Sequence, residues 1–124
     1  MRLTYFCIIL FLLKSISFSQ TDSFKTEIGI ASYYAKKFDG RRCTSGQIFR
    51  NDSLTAAHKK LKFGTLVKVT NLKNDSSVIV RINDRLPKKS HRSIDLTLRA
   101  AKQLNFIKFG LTKVKIEVLS YPNR

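Results

Sequence analysis

Apolar and polar residues alternate one by one along much of this chain, the period of a half-buried strand. The pattern is clearest over Thr65 to Asn71 and over Ser77 to Asn83, where β-branched or aliphatic residues take every second position. Lys73-Asn74-Asp75-Ser76 between them supplies the residue types of a hairpin loop. Val78, Val80 and Ile82 then share one face of the second strand, and Asp84 falls where that strand gives way to a loop ending in Pro87. A carboxyl group at such a place is held by the sheet and still reachable by a ligand.

The same period predicts a first strand over Ile28 to Tyr34, with Gly29, Ala31 and Tyr33 on one face; small residues there imply close approach of another backbone. Residues 35 to 52 carry little apolar periodicity and read as a long, functional loop with a short strand near Gln47 to Arg50. Leu54 to His58 is a short apolar segment, and Lys59 to Gly64 a turn into the central hairpin. Past the basic loop Arg85 to Ser93 comes a short strand, Ile94 to Leu96. Thr97 then suits an N-cap, with Leu98, Ala101 and Leu104 spaced to face a core and Asn105 as a stop. A last strand, Thr112 to Leu119, turns Val114, Ile116 and Val118 inward. Six short strands with one or two short helices imply a mostly β domain, barrel or sandwich, over residues 28 to 120.

The first nineteen residues follow a different pattern. Arg2 precedes an apolar run from Leu3 to Leu13, and Ser17-Phe18-Ser19 offers small residues for a signal peptidase, so a signal peptide cleaved after Ser19 is expected. A polar lead-in, residues 20 to 27, follows, and residues 121 to 124 form a tail. Removing Arg2 and Lys14 with the leader lowers the formal charge from +16 to +14. An exported protein this basic, periplasmic or secreted, attracts anionic envelope polymers, while its location and the absence of any recognition module argue against nucleic acid. Cys7 lies in the leader and Cys43 is then alone, so no internal disulfide forms. Two histidines and one thiol, scattered, have no metal-ligand spacing, and no phosphate-binding glycine loop is present, so neither metal nor cofactor is expected.

Several motifs in order carry a resemblance to a known family. Gly29-Ile30-Ala31-Ser32-Tyr33-Tyr34, Thr44-Ser45-Gly46, Leu54-Thr55-Ala56-Ala57-His58, Phe63-Gly64-Thr65, Ile82-Asn83-Asp84-Arg85 and Ile94-Asp95-Leu96-Thr97 resemble the rare lipoprotein A family. The likeness runs over about residues 28 to 119. It implies a six-stranded double-psi β-barrel, a monomer, and a lytic transglycosylase that cuts peptidoglycan glycan strands, with strands stripped of stem peptides as the family's preference. Family members often carry a lipid-anchoring cysteine after the leader. None stands there here, so no lipid anchor is expected, and the glycan-binding repeat module of longer relatives is not expected either.

A lytic transglycosylase needs fewer carboxyl groups than the usual pair in glycoside hydrolysis, because the muramic acid C6 hydroxyl is itself the nucleophile. The resemblance makes Asp84 the single proton-transfer group. On composition alone, an ion pair with Arg81 or Arg85, or a loop cap, is the competing reading. His58, twenty-six positions earlier, matches a histidine needed for activity in the family, expected to bond the aspartate or the sugar. Gln47, eleven positions before His58, replaces a family glutamate and loses its charge. Gln47, Asn83, Tyr34, Thr44 and Ser45 are the expected substrate contacts, Tyr34 by offering a ring to a sugar face. Asp95 is expected to bond backbone groups at the crossing of the psi. The non-catalytic alternative is a peptidoglycan-binding or expansin-like wall-loosening protein, favoured by Gln47 and the basic charge.

Overall fold

The computed structural model describes residues 25–123; the expected signal peptide and its cleavage site lie outside them. Six strands close into a barrel: β1 (Thr26–Tyr33), β2 (Thr55–His58), β3 (Leu66–Asn71), β4 (Ser77–Arg85), β5 (Ile94–Leu96) and β6 (Thr112–Ser120). Around the barrel the order is β1-β5-β2-β4-β3-β6. Two neighbouring pairs, β1 with β5 and β2 with β4, run parallel, and the other four pairs run antiparallel. Of the two readings left open by the alternation, the barrel is the one adopted. Closure leaves no strand edge unpaired, which suits a domain too small for a second layer.

The inward faces are those the alternation predicts. Val67, Val69, Val78, Val80, Ile82, Val114, Ile116 and Val118 are buried together, with Ile94 and Leu96 from β5. One helix, α1 (Leu98–Gln103), closes one side of the barrel, and Ala100, Ala101 and Leu104 join the core. Leu98, expected to face it, is only partly buried and lies outside the core cluster, because the first turn of so short a helix leans to the surface side. Thr97 caps it by accepting from the Ala100 amide, and Asn105 ends it at φ 57°. A 3-10 turn over Lys36–Phe38 is the second short helix.

The structure departs from the sequence reading in three places. β1 begins at Thr26, so Glu27, expected in a lead-in, is strand and stands on the same alternate face as Gly29, Ala31 and Tyr33. The strand expected over Gln47 to Arg50 is instead one arm of a tight loop, joined to the other arm by a single bridge, Arg42 with Ile48. Too few apolar residues there face a core to extend a ladder. The third concerns β4, which does not end before Asp84 but runs to Arg85.

That longer β4 contains a break in register. Against β2 the pairs are Ala56 with Ile82 and then Ala57 with Asp84, so Asn83 is an extra residue in a bulge. Unbroken alternation would turn Asp84 into the core behind Ile82. Instead Ile82 and Asn83 are both buried and Asp84 is only half-buried. The bulge therefore re-aims the carboxyl group away from the apolar interior.

Gly29 is where β1 meets the chain entering β5. A Cβ placed on it would meet the Ser93 hydroxyl and stand 2.6 Å from the Ser93 Cβ. Gly29→Ala is expected to destabilise the barrel by about 1–3 kcal/mol through overpacking. Adding Ser93→Gly should return much of the loss; urea unfolding of the single and double variants checks both.

Candidate functional site

Three segments converge on Asp84. Tyr34, just past β1, donates its hydroxyl to Oδ2 at 2.5 Å. The Thr44 amide, in the long loop, donates to Oδ1 at 2.9 Å, and the Arg85 amide donates to the same oxygen at 2.9 Å. Burial pushes this carboxyl group up, but the hydrogen bonds from Tyr34, Thr44 and Arg85 outweigh it and hold the group below the usual aspartate range. The site is thus built for the anion. Tyr34 shifts the other way: burial and its bond to Asp84 push the phenol well above its ordinary range, so it stays a neutral donor.

The competing reading, an ion pair with a neighbouring arginine, does not hold. Arg81 reaches toward the Gly64 carbonyl. Arg85 turns its guanidinium onto the carbonyls of His58, at 3.0 Å, and Leu61, at 2.8 Å, and lies over the Phe63 ring. Only its backbone amide meets Asp84.

Tyr34 is placed by its ring. The ring packs on Phe49 with centroids 4.3 Å apart and meets Phe38 edge-on at 6.0 Å. It anchors the carboxylate instead of offering a free platform to a sugar. Its neighbour Tyr33 points into the core, packs on Phe106 and donates to the Ile107 carbonyl at 2.7 Å. The loop that carries Thr44 is tied across its base by bonds from Gly40 to Phe49 and from Phe49 to Arg41, and near its tip from Cys43 to Gln47. Cys43 lies buried under it, and burial, then the Asp84 charge, pushes its thiol up, which leaves it inert as a nucleophile.

A shallow groove of about 460 Å³ is lined by Ser45, Gln47, Phe63, Gly64, Arg81, Ile82 and Asn83, the residue before Asp84. Asn83, the bulge residue, donates from Nδ2 to Gln47 Oε1 at 3.1 Å. Ser45 accepts from the Gln47 amide and its own amide reaches the Asn83 carbonyl. Thr44 thus bonds Asp84 directly, and Ser45, Gln47 and Asn83, the last next to Asp84 in the chain, bond one another.

His58 is not among them. Its ring is buried and bonded elsewhere: Nε2 to Glu27 Oε1 at 2.9 Å, and Nδ1 to the amides of Lys60 and Leu61, each at 3.1 Å. Among the described residues, no hydrogen bond links it to Asp84. On β2 His58 pairs with Arg85, one step past the Ala57–Asp84 pair, so its side chain leaves the strand on the other face. It lines a separate cavity of about 950 Å³ with Glu27, Lys25, Lys60, Ile116 and Val118. Asp95, too, has partners other than those expected: it bonds the side chains of Ser32 and Arg92, the latter at 2.7 and 3.1 Å, and not backbone groups. Glu27 and Phe49 escaped the sequence reading, and Arg85 was read only as a candidate ion-pair partner of Asp84. Glu27 could have been found by extending the alternation of Gly29 and Ala31 two residues back.

A closed barrel with two parallel crossings and a carboxylate at the end of a bulged strand is a double-psi β-barrel with one acidic site. The chain belongs to the lytic transglycolase family, whose match covers residues 26–116. It is 50% identical over 91 residues to the endolytic peptidoglycan transglycosylase RlpA of Haemophilus influenzae, a match that covers 73% of this chain and 32% of that protein. The corresponding protein of Rickettsia bellii is 50% identical over 97 residues, 76% of this chain and 43% of its own. The matched region thus spans less than half of these relatives. Among solved structures, an expansin of Clavibacter michiganensis aligns with a TM-score of 0.63 at 18% identity, over 81% of this chain and 53% of that one. A Streptomyces papain inhibitor aligns with a TM-score of 0.64 at 18% identity, over 77% and 96%. These two share the fold.

The tie from Tyr34 is the testable part of this geometry. Tyr34→Phe removes a donor to the charged form, so the Asp84 carboxyl pKa is expected to rise. A titration followed by carboxyl carbon shifts in NMR reads it; an unchanged midpoint contradicts the hydrogen bond.

Proposed function

We propose that this chain is a peptidoglycan-cleaving lytic transglycosylase acting outside the cytoplasm, in the periplasm or after secretion. The observation that carries the reading is the Asp84 carboxyl group, half-buried and held by Tyr34, Thr44 and the Arg85 amide, next in the chain to Asn83 of the groove wall. Its support from outside the structure is the half-identity to proteins named for that activity. The bond cut is the one between N-acetylmuramic acid and N-acetylglucosamine, in strands freed of stem peptides.

One carboxyl group suffices for this chemistry. Protonated Asp84 gives its proton to the leaving glycosidic oxygen as the bond from the muramic acid anomeric carbon breaks. The C6 hydroxyl oxygen of the same sugar bonds to that carbon, closing a 1,6-anhydro ring, and its proton passes to the Asp84 carboxylate. No water is consumed and the acid is regenerated. Tyr34 and the two amides steady the carboxylate between the two transfers, while Gln47, Asn83, Ser45 and Thr44 offer amide and hydroxyl groups along the groove for a sugar.

Those same bonds set the pH response. A depressed pKa means that the acid form of Asp84 falls about tenfold for each pH unit above it. The first transfer needs that form, so kcat/KM should fall as pH rises from the acid range toward neutrality. Stability runs the opposite way. Because the folded pKa lies below the unfolded one, the ionised group stabilises the fold above the unfolded value, about 3.9, and this is lost as pH falls through the folded value.

Gln47 in place of the family's glutamate, together with the depressed acid, favours a second reading, a barrel that binds glycan without turnover. Digestion of denuded glycan strands by the mature chain decides between them. Anhydromuramoyl products, rising as pH is lowered and absent with Asp84→Asn, are expected. Binding to insoluble peptidoglycan with no product at any pH would leave the second reading standing.

A further inference from the structure

Both nitrogens of the His58 ring are engaged in hydrogen bonds. Two backbone amides, from Lys60 and Leu61, donate to Nδ1, so Nδ1 is unprotonated. Nε2 then bears the hydrogen and donates it to Glu27 Oε1. A ring committed at both nitrogens, on the opposite face of β2 from the Ala57–Asp84 pair, is not a relay for the glycosidic proton. What it does is fold the turn after β2. With both amides of that turn drawn onto Nδ1, the Leu61 carbonyl and the His58 carbonyl stand together, and both accept from Arg85 Nη1. The His58 carbonyl also accepts from the Leu86 amide. Arg85 is gripped at its far end by these carbonyls and along its plane by the Phe63 ring, with its Cζ 4.2 Å from the ring centroid.

The near end of Arg85 is the amide that donates to Asp84 Oδ1. It lies just past a β-bulge, where the pairs Ala57–Asp84 and His58–Arg85 resume the ladder with β2. Through the Arg85 side chain, the carbonyls of His58 and Leu61 add a second hold on the peptide between Asp84 and Arg85. We propose that Arg85 is a positioning residue for Asp84, clamped in a seat that Glu27 and His58 build, so that the histidine serves the reaction through the arginine and not by moving a proton. The inference rests on the transglycosylase reading for its kinetic consequence, but its geometric part stands apart from it.

Lysine in place of Arg85 keeps the charge but cannot bond two carbonyls and stack on Phe63 at once. Arg85→Lys is expected to melt near the wild type, keep KM, and lose kcat about 10- to 100-fold, with the Asp84 carboxyl titration moved upward. His58→Asn places an acceptor near the position of Nδ1 and has no titratable group, so it is expected to retain at least a tenth of wild-type kcat. His58→Leu, which offers no acceptor, should show the kcat loss and the shifted titration of Arg85→Lys. A folded Arg85→Lys with unchanged kcat and titration overturns the proposal. So does a folded His58→Asn as inactive as Asp84→Asn with its Asp84 titration unchanged, because that would make the imidazole a proton carrier. If Arg85→Lys fails to fold, the His58→Asn and His58→Leu pair decides. If wild type forms no anhydromuramoyl product, the transglycosylase reading fails, and the clamp is judged on the titration alone: a shift in Arg85→Lys upholds it and none overturns it.

Discussion

Hydrogen bonds from three parts of the chain converge on one carboxylate. Tyr34 arrives from the end of β1, Thr44 from the tip of the long loop, and the Arg85 amide from the strand that carries Asp84 itself. A half-buried carboxylate without such donors would lose its solvation and gain nothing in return. With them it is a fixed negative point that ties the loop to the barrel. The carboxylate proposed as the reactive group is therefore also the fastening of the long loop to the barrel.

The barrel supplies what this arrangement needs. Its apolar interior, with Val67, Val69, Val80, Ile82, Ile94 and Val114 fully enclosed, makes the strand ends stiff platforms. The bulge at Asn83 turns Asp84 out of that interior and, in the same step, brings Asn83 to Gln47. On the other face of β2, Glu27 and His58 lock the following turn. The histidine and the aspartate of the two motifs thus lie on two sides of the same pair of strands.

Much of this was legible in the alternation of the chain, because each strand has one buried face. The inward series Val78-Val80-Ile82 and Val114-Ile116-Val118, the crowding at Gly29 and the capped helix after Thr97 all follow from local pattern. The site was legible as a set of residues and less so as a geometry. A bulge changes register without changing composition, so nothing in Ile82-Asn83-Asp84 announces it. His58 and Asp84 sit on paired strands, and only the pairing, one step out of phase, decides that their side chains diverge. Tyr33 and Tyr34 were bound to point to opposite faces, but which of them meets Asp84 depends on Phe38 and Phe49 in a loop with no period. Glu27 was hidden by its polarity in a stretch that reads as lead-in.

The claim on which all else turns is that the Thr44 and Arg85 amides hold Asp84 as an anion in the resting protein. Amide proton and nitrogen shifts of these two residues, followed by NMR from neutral pH into the acid range, test it directly. The expected result is that both titrate together with the Asp84 carboxyl carbon at one midpoint below the ordinary aspartate value. A Thr44 amide that does not follow Asp84, or a midpoint above that value, would contradict it.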